Sequence, residues 1–282
     1  MRSPVTGPMS TSPSASVLLR HWRMLRGKTQ LTLSLETGVS QKHISFMESG
    51  RSAPSREMLL VMADALDVPL RDRNALLSGG GYAAVYPEGA LDGTAMSSLD
   101  SALRRLLRLH EPYPAVVMDR HWNVLMANDA APRLFGCFID LAAWAKPRNL
   151  LRLMFDPNGL RPFIVDWPEV SRSLLARVRR EAVGQVIDLE TRRLLDALHR
   201  YPDAEPGPSV PGQGEDLPMV PLSFRKGGVR LDYFSMVTTV GAPRTISAQE
   251  LRLECLFPAN DATEEAHGPF VRAHGPGSFG SG

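Results

Sequence analysis

The sequence predicts two domains of different class, an all-α domain of five short helices followed by an α+β domain. Three observations carry this expectation. Residues 17–80 break into short apolar-periodic segments punctuated by capping residues and glycines. Residues 82–94, with Pro87, Gly89 and Gly93, interrupt that pattern as a linker would. Beyond them, helical patterns fill the middle and strand-like runs the two ends, the arrangement of an α+β domain. A length of 282 residues accommodates both domains at about 100–200 residues each. The expected division is 1–16 disordered, 17–81 helical domain, 82–96 linker, 97–265 second domain and 266–282 disordered tail.

In the helical domain the first helix is expected over about 17–26. Thr29 is a good N-cap for the second, and Gly38 a good residue to end it. Ser40 caps a third, which Gly50 terminates. Pro54-Ser55 opens a fourth, whose Met58, Leu59, Met62, Ala63 and Leu66 recur with a period of 3.6. Pro69 precedes a fifth, stopped by Gly79-Gly80-Gly81.

The second domain opens with a helix over about 97–110, with Ser97 and Asp100 spaced as a capping box. Residues 115–118 and 122–126 read as strands around an Asp119-Arg120 turn, and 128–135 as a short helix. The run 150–155 is strongly apolar. Asp166, Pro168 and Glu169 signal the start of a helix to about 183, and another follows over 188–199. Residues 201–214 are rich in Pro and Gly and read as a loop. Strands are expected over 219–224, 229–239 and 250–257.

Composition excludes several classes. Cys137 and Cys255 are far apart and form no CxxC pair, which argues against a disulfide framework or a Cys-based zinc site and fits reduced thiols in a cytoplasmic protein. The seven histidines lack metal-ligand spacing, so no metal and no cofactor is expected. No apolar run approaches the ~20 residues that cross a bilayer, and the N-terminus lacks the apolar stretch of a signal peptide. There is no GxSxG, HExxH or GxxxxGK[ST], so no enzyme is expected. Charge is unevenly shared: residues 1–80 hold ten Lys and Arg against six Asp and Glu, the remainder 22 against 24.

That modest positive excess coincides with the most informative segment, residues 29–55, two short helices around a Gly-containing turn. On a helical wheel Ile44 and Met47 face inward beside Val39, whereas Lys42, Ser45, Phe46 and Ser49 face outward with Gln41 at the edge. Outward residues near the N-terminus of such a helix reach base edges in a DNA major groove. Gln41 suits adenine and Lys42 guanine or phosphate, while Ser45 donates or accepts and Phe46 suits a thymine methyl. His43 completes the polar face. Gln30 at the start of the second helix and Arg51 in the following turn are expected on phosphate. Double-stranded DNA is the implied partner, and a homodimer is expected because one helix covers only a short half-site.

Gln30, Leu33, Gly38-Val39-Ser40, Ile44-Ser45, Glu48, Gly50 and Pro54-Ser55 resemble the Xre/Cro-type helix-turn-helix family, which implies a five-helix, lambda-repressor-like domain. Ser34 departs from that pattern, where Ala is usual; its hydroxyl can bond back to the helix. A wider likeness spans residues 17–265. RHWRMLRGKTQ (20–30), MDRHWNVLMANDAAPRLF (118–135), NLLRLMF (149–155), DWPEV (166–170) and LRLECLFPANDAT (251–263) resemble MmyB-like regulators of actinobacterial type. This resemblance implies a PAS-like second domain that binds an apolar, fatty-acid-like ligand. The large apolar residues of 97–265 serve a packed core equally well. If a pocket is present, it is expected between the late strands and the middle helices, walled by Trp122, Met126, Phe155, Trp167 and Phe234. A different reading makes the chain a ligand-binding or enzymatic protein whose helical N-terminus binds another protein.

Overall fold

A computed structural model describes residues 13–88, 96–183, 189–201 and 222–275. The chain divides into two compact units, Met1–Glu88 with Arg244–Ile246, and Gly89–Pro243 with Ser247–Gly282. Among the described residues no helix is long and apolar enough to cross a membrane.

The first unit contains α1 (Ala15–Leu25), α2 (Gln30–Thr37), α3 (Gln41–Glu48), α4 (Arg56–Ala65) and α5 (Leu70–Gly79). Its helix ends follow from local chemistry. The Thr29 side chain accepts from Thr32 N, Ser40 from His43 N and Ser55 from Met58 N, each satisfying an amide that has no partner within its helix. Gly38 closes α2 at φ 72°, a left-handed conformation costly to any residue with a Cβ. Trp22, Leu33, Ile44, Met47, Leu59, Met62 and Leu66 are fully buried in the core. Each contributes about 1.5–3 kcal/mol through removal of apolar surface from water. Helix α1 begins at Ala15, inside the stretch expected to be disordered.

The second unit contains α6 (Ser97–Leu109), β1 (Ala115–Met118), β2 (Val124–Ala127), α7 (Ala130–Gly136), α8 (Leu150–Phe155), α9 (Trp167–Val183), α10 (Leu189–Leu198), β3 (Leu222–Lys226), β4 (Val229–Thr238), β5 (Arg252–Pro258) and α12 (Asp261–His274), with all but the first residue of the short α11 (Ile246–Glu250) before β5. The strands form one antiparallel sheet in the order β2-β1-β5-β4-β3. This agrees with the α+β, PAS-like class expected.

The sheet buries both faces. On one, Ala115, Val117, Leu251 and Leu253 pack with Leu103 and Leu107 of α6. On the other, Val116, Phe224, Leu231, Tyr233 and Leu256 meet the larger core, which includes residues of α7, α8, α9, α10 and α12. Alternation of side chains along each strand decides which face a residue serves.

Three local expectations change, and one open segment is settled. The capping box at Ser97 and Asp100 does not form: Met96 is the N-cap, without a side-chain cap bond, and Asp100 pairs with Arg104 at 2.8 Å. Trp122 lies in the turn rather than in a strand, at φ 66°. Asp119 holds that turn, its carboxylate accepting from His121 N and Asn123 N. The apolar run 150–155 is helix α8, capped by the Asn149 side chain. The second domain continues beyond residue 265 in α12, capped by the Asn260 side chain and anchored by buried Thr263, His267 and Phe270. The loop expected over 201–214, from residue 202 on, the linker core 89–95 and the tail from 276 lie outside the described residues.

Candidate functional site

The exposed surface of α3 is built by an inward anchor. Ile44 and Met47 are fully buried, which turns the N-terminal part of the helix outward. Gln41, Lys42 and His43 are exposed, and Ser45 and Phe46 half-buried. Phe46 works as a platform: the Lys42 ammonium stands 5.7 Å and the exposed Arg51 guanidinium 5.9 Å from its ring centroid. Its outward position therefore organises two cations as well as offering an aromatic edge. Val39 is half-buried beside this helix.

Beneath this surface lies a polar clamp. Arg23 Nε donates to Glu48 Oε1 at 2.6 Å and Arg23 Nη2 to Glu48 Oε2 at 2.8 Å, a bidentate pair joining α1 to the end of α3. Gln30 Nε2 donates to the same Oε2 at 2.8 Å. The Glu48 side chain is only 4% exposed. Burial pushes its carboxyl upward, but hydrogen bonds from Arg23 and Gln30, with the Arg23 and Arg20 charges, hold it below the usual value. Gln30, expected on phosphate, thus directs an amide N–H to Glu48 and ties α2 to α3. The sequence signal was available: Glu48 follows Ile44 by four residues, on the inward side of the helix.

The second unit holds a partly open cavity of about 220 Å³ between the sheet and the helices. The sheet contributes Val116, Leu222, Phe224, Ser235, Glu254 and Leu256, and α8 contributes Leu150 and Met154. Helix α9 contributes Val170, Ser173, Leu174 and Arg177, one stripe at the spacing i, i+3, i+4, i+7. The lining is mostly apolar with a few polar groups, as in small-molecule sites. One polar pair dominates it. Arg177 Nη1 lies 3.4 and 3.5 Å from the two Glu254 carboxylate oxygens, and its guanidinium lies 4.3 Å from the Trp122 ring centroid.

The cavity lies where the sequence placed a pocket, but only Trp122 of the five expected wall residues lines it. Phe155 is fully buried behind the wall and packs edge-on against Trp167 at 4.8 Å. Met126 packs with the cluster on the α6 face, its register partner being Val117. Phe234 stacks on its cross-strand partner Phe257 at 5.4 Å, while the next residue, Ser235, reaches the cavity. Alternation sends these neighbours to opposite faces, so a one-residue error moves a side chain from wall to far side. Ser173, Arg177, Ser235 and Glu254 were missed because polar residues on a helix or strand ordinarily mark solvent.

A second buried polar group completes the domain. His267 Nε2 donates to the Pro112 carbonyl at 3.0 Å, which leaves Nδ1 to accept from the Tyr233 hydroxyl at 2.6 Å. Burial lowers the His267 pKa, although the Pro112 carbonyl acts in the opposite sense. Burial likewise pushes the Cys137 thiol up to about 11, so it is an inert buried thiol. Among the described residues no group of three or more His, Cys, Asp or Glu is placed to hold a metal ion.

A capped helix pair with an exposed cationic turn, joined in one chain to an α+β domain with a mostly apolar cavity, defines a helix-turn-helix regulator with a ligand-binding domain. Comparisons with known families agree. A helix-turn-helix family matches residues 19–72, and the MmyB-like transcription regulator ligand binding domain matches residues 99–267. The chain belongs to the MmyB-like transcription regulators, and it is a DNA-binding transcription regulator with a ligand-binding domain. No curated protein matches it. Among solved structures, an RNA-binding light-oxygen-voltage receptor is similar at 12% identity and a TM-score of 0.28, the match covering 90% of this chain and 64% of that one. At that level the likeness carries no argument about function.

Proposed function

We infer that the chain acts as a homodimer that reads a two-part operator through α3, with an acyl-chain ligand in the cavity setting its DNA affinity. Gln41 and Lys42 are assigned to base edges, with His43, Ser45 and Phe46 beside them. Arg51 is assigned to phosphate. The observation that carries this reading is the exposed first turn of α3, with Lys42 and Arg51 both drawn to the Phe46 ring. Such preordering lowers the entropy lost when long cationic side chains meet DNA. The mostly apolar cavity supports a ligand with an apolar chain. Ligand binding acts on DNA affinity only by favouring one of two arrangements of the dimer.

Selection from a random-sequence duplex pool with the purified chain tests the readout. The expected result is an enriched two-fold symmetric motif. Lys42→Ala should weaken binding and, where the lysine meets phosphate, lower the salt slope by about 0.9. Enrichment of no motif, or a motif and affinity unchanged by both Gln41→Ala and Lys42→Ala, would overturn it.

A further inference from the structure

Among the described residues the charges lining the cavity cancel. Arg177 is the cation and Glu254 the anion among its wall residues, and the two already face each other at 3.4 Å. Arg177 is further engaged by the Trp122 ring beneath its guanidinium. Glu254 is 8% exposed and stands on the central strand β5, hydrogen-bonded to β1 on one side and β4 on the other, with Val116 and Val237 as its register partners. A carboxylate entering this space would compete with Glu254 for one guanidinium. It would also bring two negative charges together where water screens them poorly.

An uncharged head group meets better-matched partners. The Glu254 carboxylate accepts an N–H or O–H, and the Ser173 and Ser235 hydroxyls both donate and accept. Trp122 lines the cavity, is 2% exposed, and its indole N–H has no acceptor among the described residues. A buried donor left without a partner costs free energy, so a ligand acceptor that reaches this N–H is rewarded. Trp122 is held in this place at a left-handed φ of 66°, a conformation that a non-glycine residue adopts only when its surroundings impose it.

We propose that the cavity selects an uncharged amphiphile, an apolar chain ending in a head that both donates and accepts hydrogen bonds, such as an amide or alcohol, over the free carboxylate of equal chain length. This rests on reading the cavity as an acyl-chain site. It makes Glu254 the residue that rejects acids.

Isothermal titration of the full chain with decanamide and with decanoic acid, near neutral pH, tests it. Wild type should bind the amide about tenfold or more tightly than the acid. Glu254→Gln, which keeps shape and removes the charge, should abolish or reverse that ratio by strengthening acid binding. Equal or tighter acid binding by wild type overturns the head-group assignment, whatever the variant does. Amide preference that Glu254→Gln leaves untouched overturns the role given to Glu254. If neither probe binds either protein, and neither raises the melting temperature, the acyl-chain reading fails and the selectivity proposed for it fails with it.

Discussion

The two functional regions are built in opposite ways. The surface proposed for DNA is the outward side of one helix, α3, exposed because Ile44 and Met47 fix its other side. The cavity is gathered from segments more than a hundred residues apart, Val116 on β1 and Leu256 on β5 among them, and its charged pair, Arg177 and Glu254, is largely withdrawn from solvent. Substitution on the first should therefore change binding with little effect on folding. On the second, binding and packing share the same side chains. The Arg23–Glu48–Gln30 clamp is the exception within the first region, since it lies beneath the surface and holds three helices.

That contrast breaks most severely at the clamp. Arg23→Ala leaves the Glu48 carboxylate buried without its charge partner, and the expected loss is about 3–5 kcal/mol of stability in urea unfolding. A loss well below 1 kcal/mol would mean that Glu48 finds water or another cation. Gln41→Ala should leave unfolding unchanged but cost about 1–3 kcal/mol in binding to the selected operator, with specificity relaxed at one base position. Gln30→Ala separates the two interpretations of that residue. Its bond to a buried carboxylate predicts about 1–2 kcal/mol of lost stability. A phosphate contact alone predicts weaker DNA binding with normal unfolding.

The smallest effect concerns pH. His267 is buried and its pKa lies below the unfolded value, so the folded state refuses a proton that the unfolded state accepts. Its contribution is complete above the ordinary histidine value of ~6.5 and is lost as pH falls from there toward the lowered value, by at most about 1.4 kcal/mol per pH unit. His267→Phe should remove that component of the pH dependence while lowering stability at neutral pH, because the Tyr233 hydroxyl and Pro112 carbonyl lose their partner. An unaltered pH profile would contradict the assignment.

Legibility in the sequence followed the same divide. Thr29, Ser40 and Ser55 act through bonds to amides three positions away and Gly38 through its own φ, so the sequence locates the starts of α2, α3 and α4 and the end of α2. The outward arc of α3 was readable for the same reason. The cavity wall depends on strand register and on which face each strand buries, and neither is local. Hence Phe234 and Met126, attractive as large apolar residues, belong to the opposite face, while Glu254 and Arg177 looked like solvent positions. Helix α12 was missed because Gly268-Pro269 reads as a breaker. The Asn260 cap and buried Phe270 sustain the helix across it. Asp100 shows that correct spacing for a capping box does not ensure one, since Arg104 one turn later competes for the carboxylate.

The central claim is that occupancy of the cavity changes the affinity of α3 for its operator. Fluorescence anisotropy of the selected duplex, with and without saturating decanamide, measures this most directly. The control is Leu174→Trp, which fills the cavity from α9 and should abolish the ligand-induced rise in melting temperature. The account predicts that ligand shifts the wild-type Kd about 5–150-fold, the usual range of allosteric coupling, and leaves the Leu174→Trp protein unmoved. A wild-type protein whose melting temperature rises with ligand, yet whose operator Kd stays constant, would contradict it.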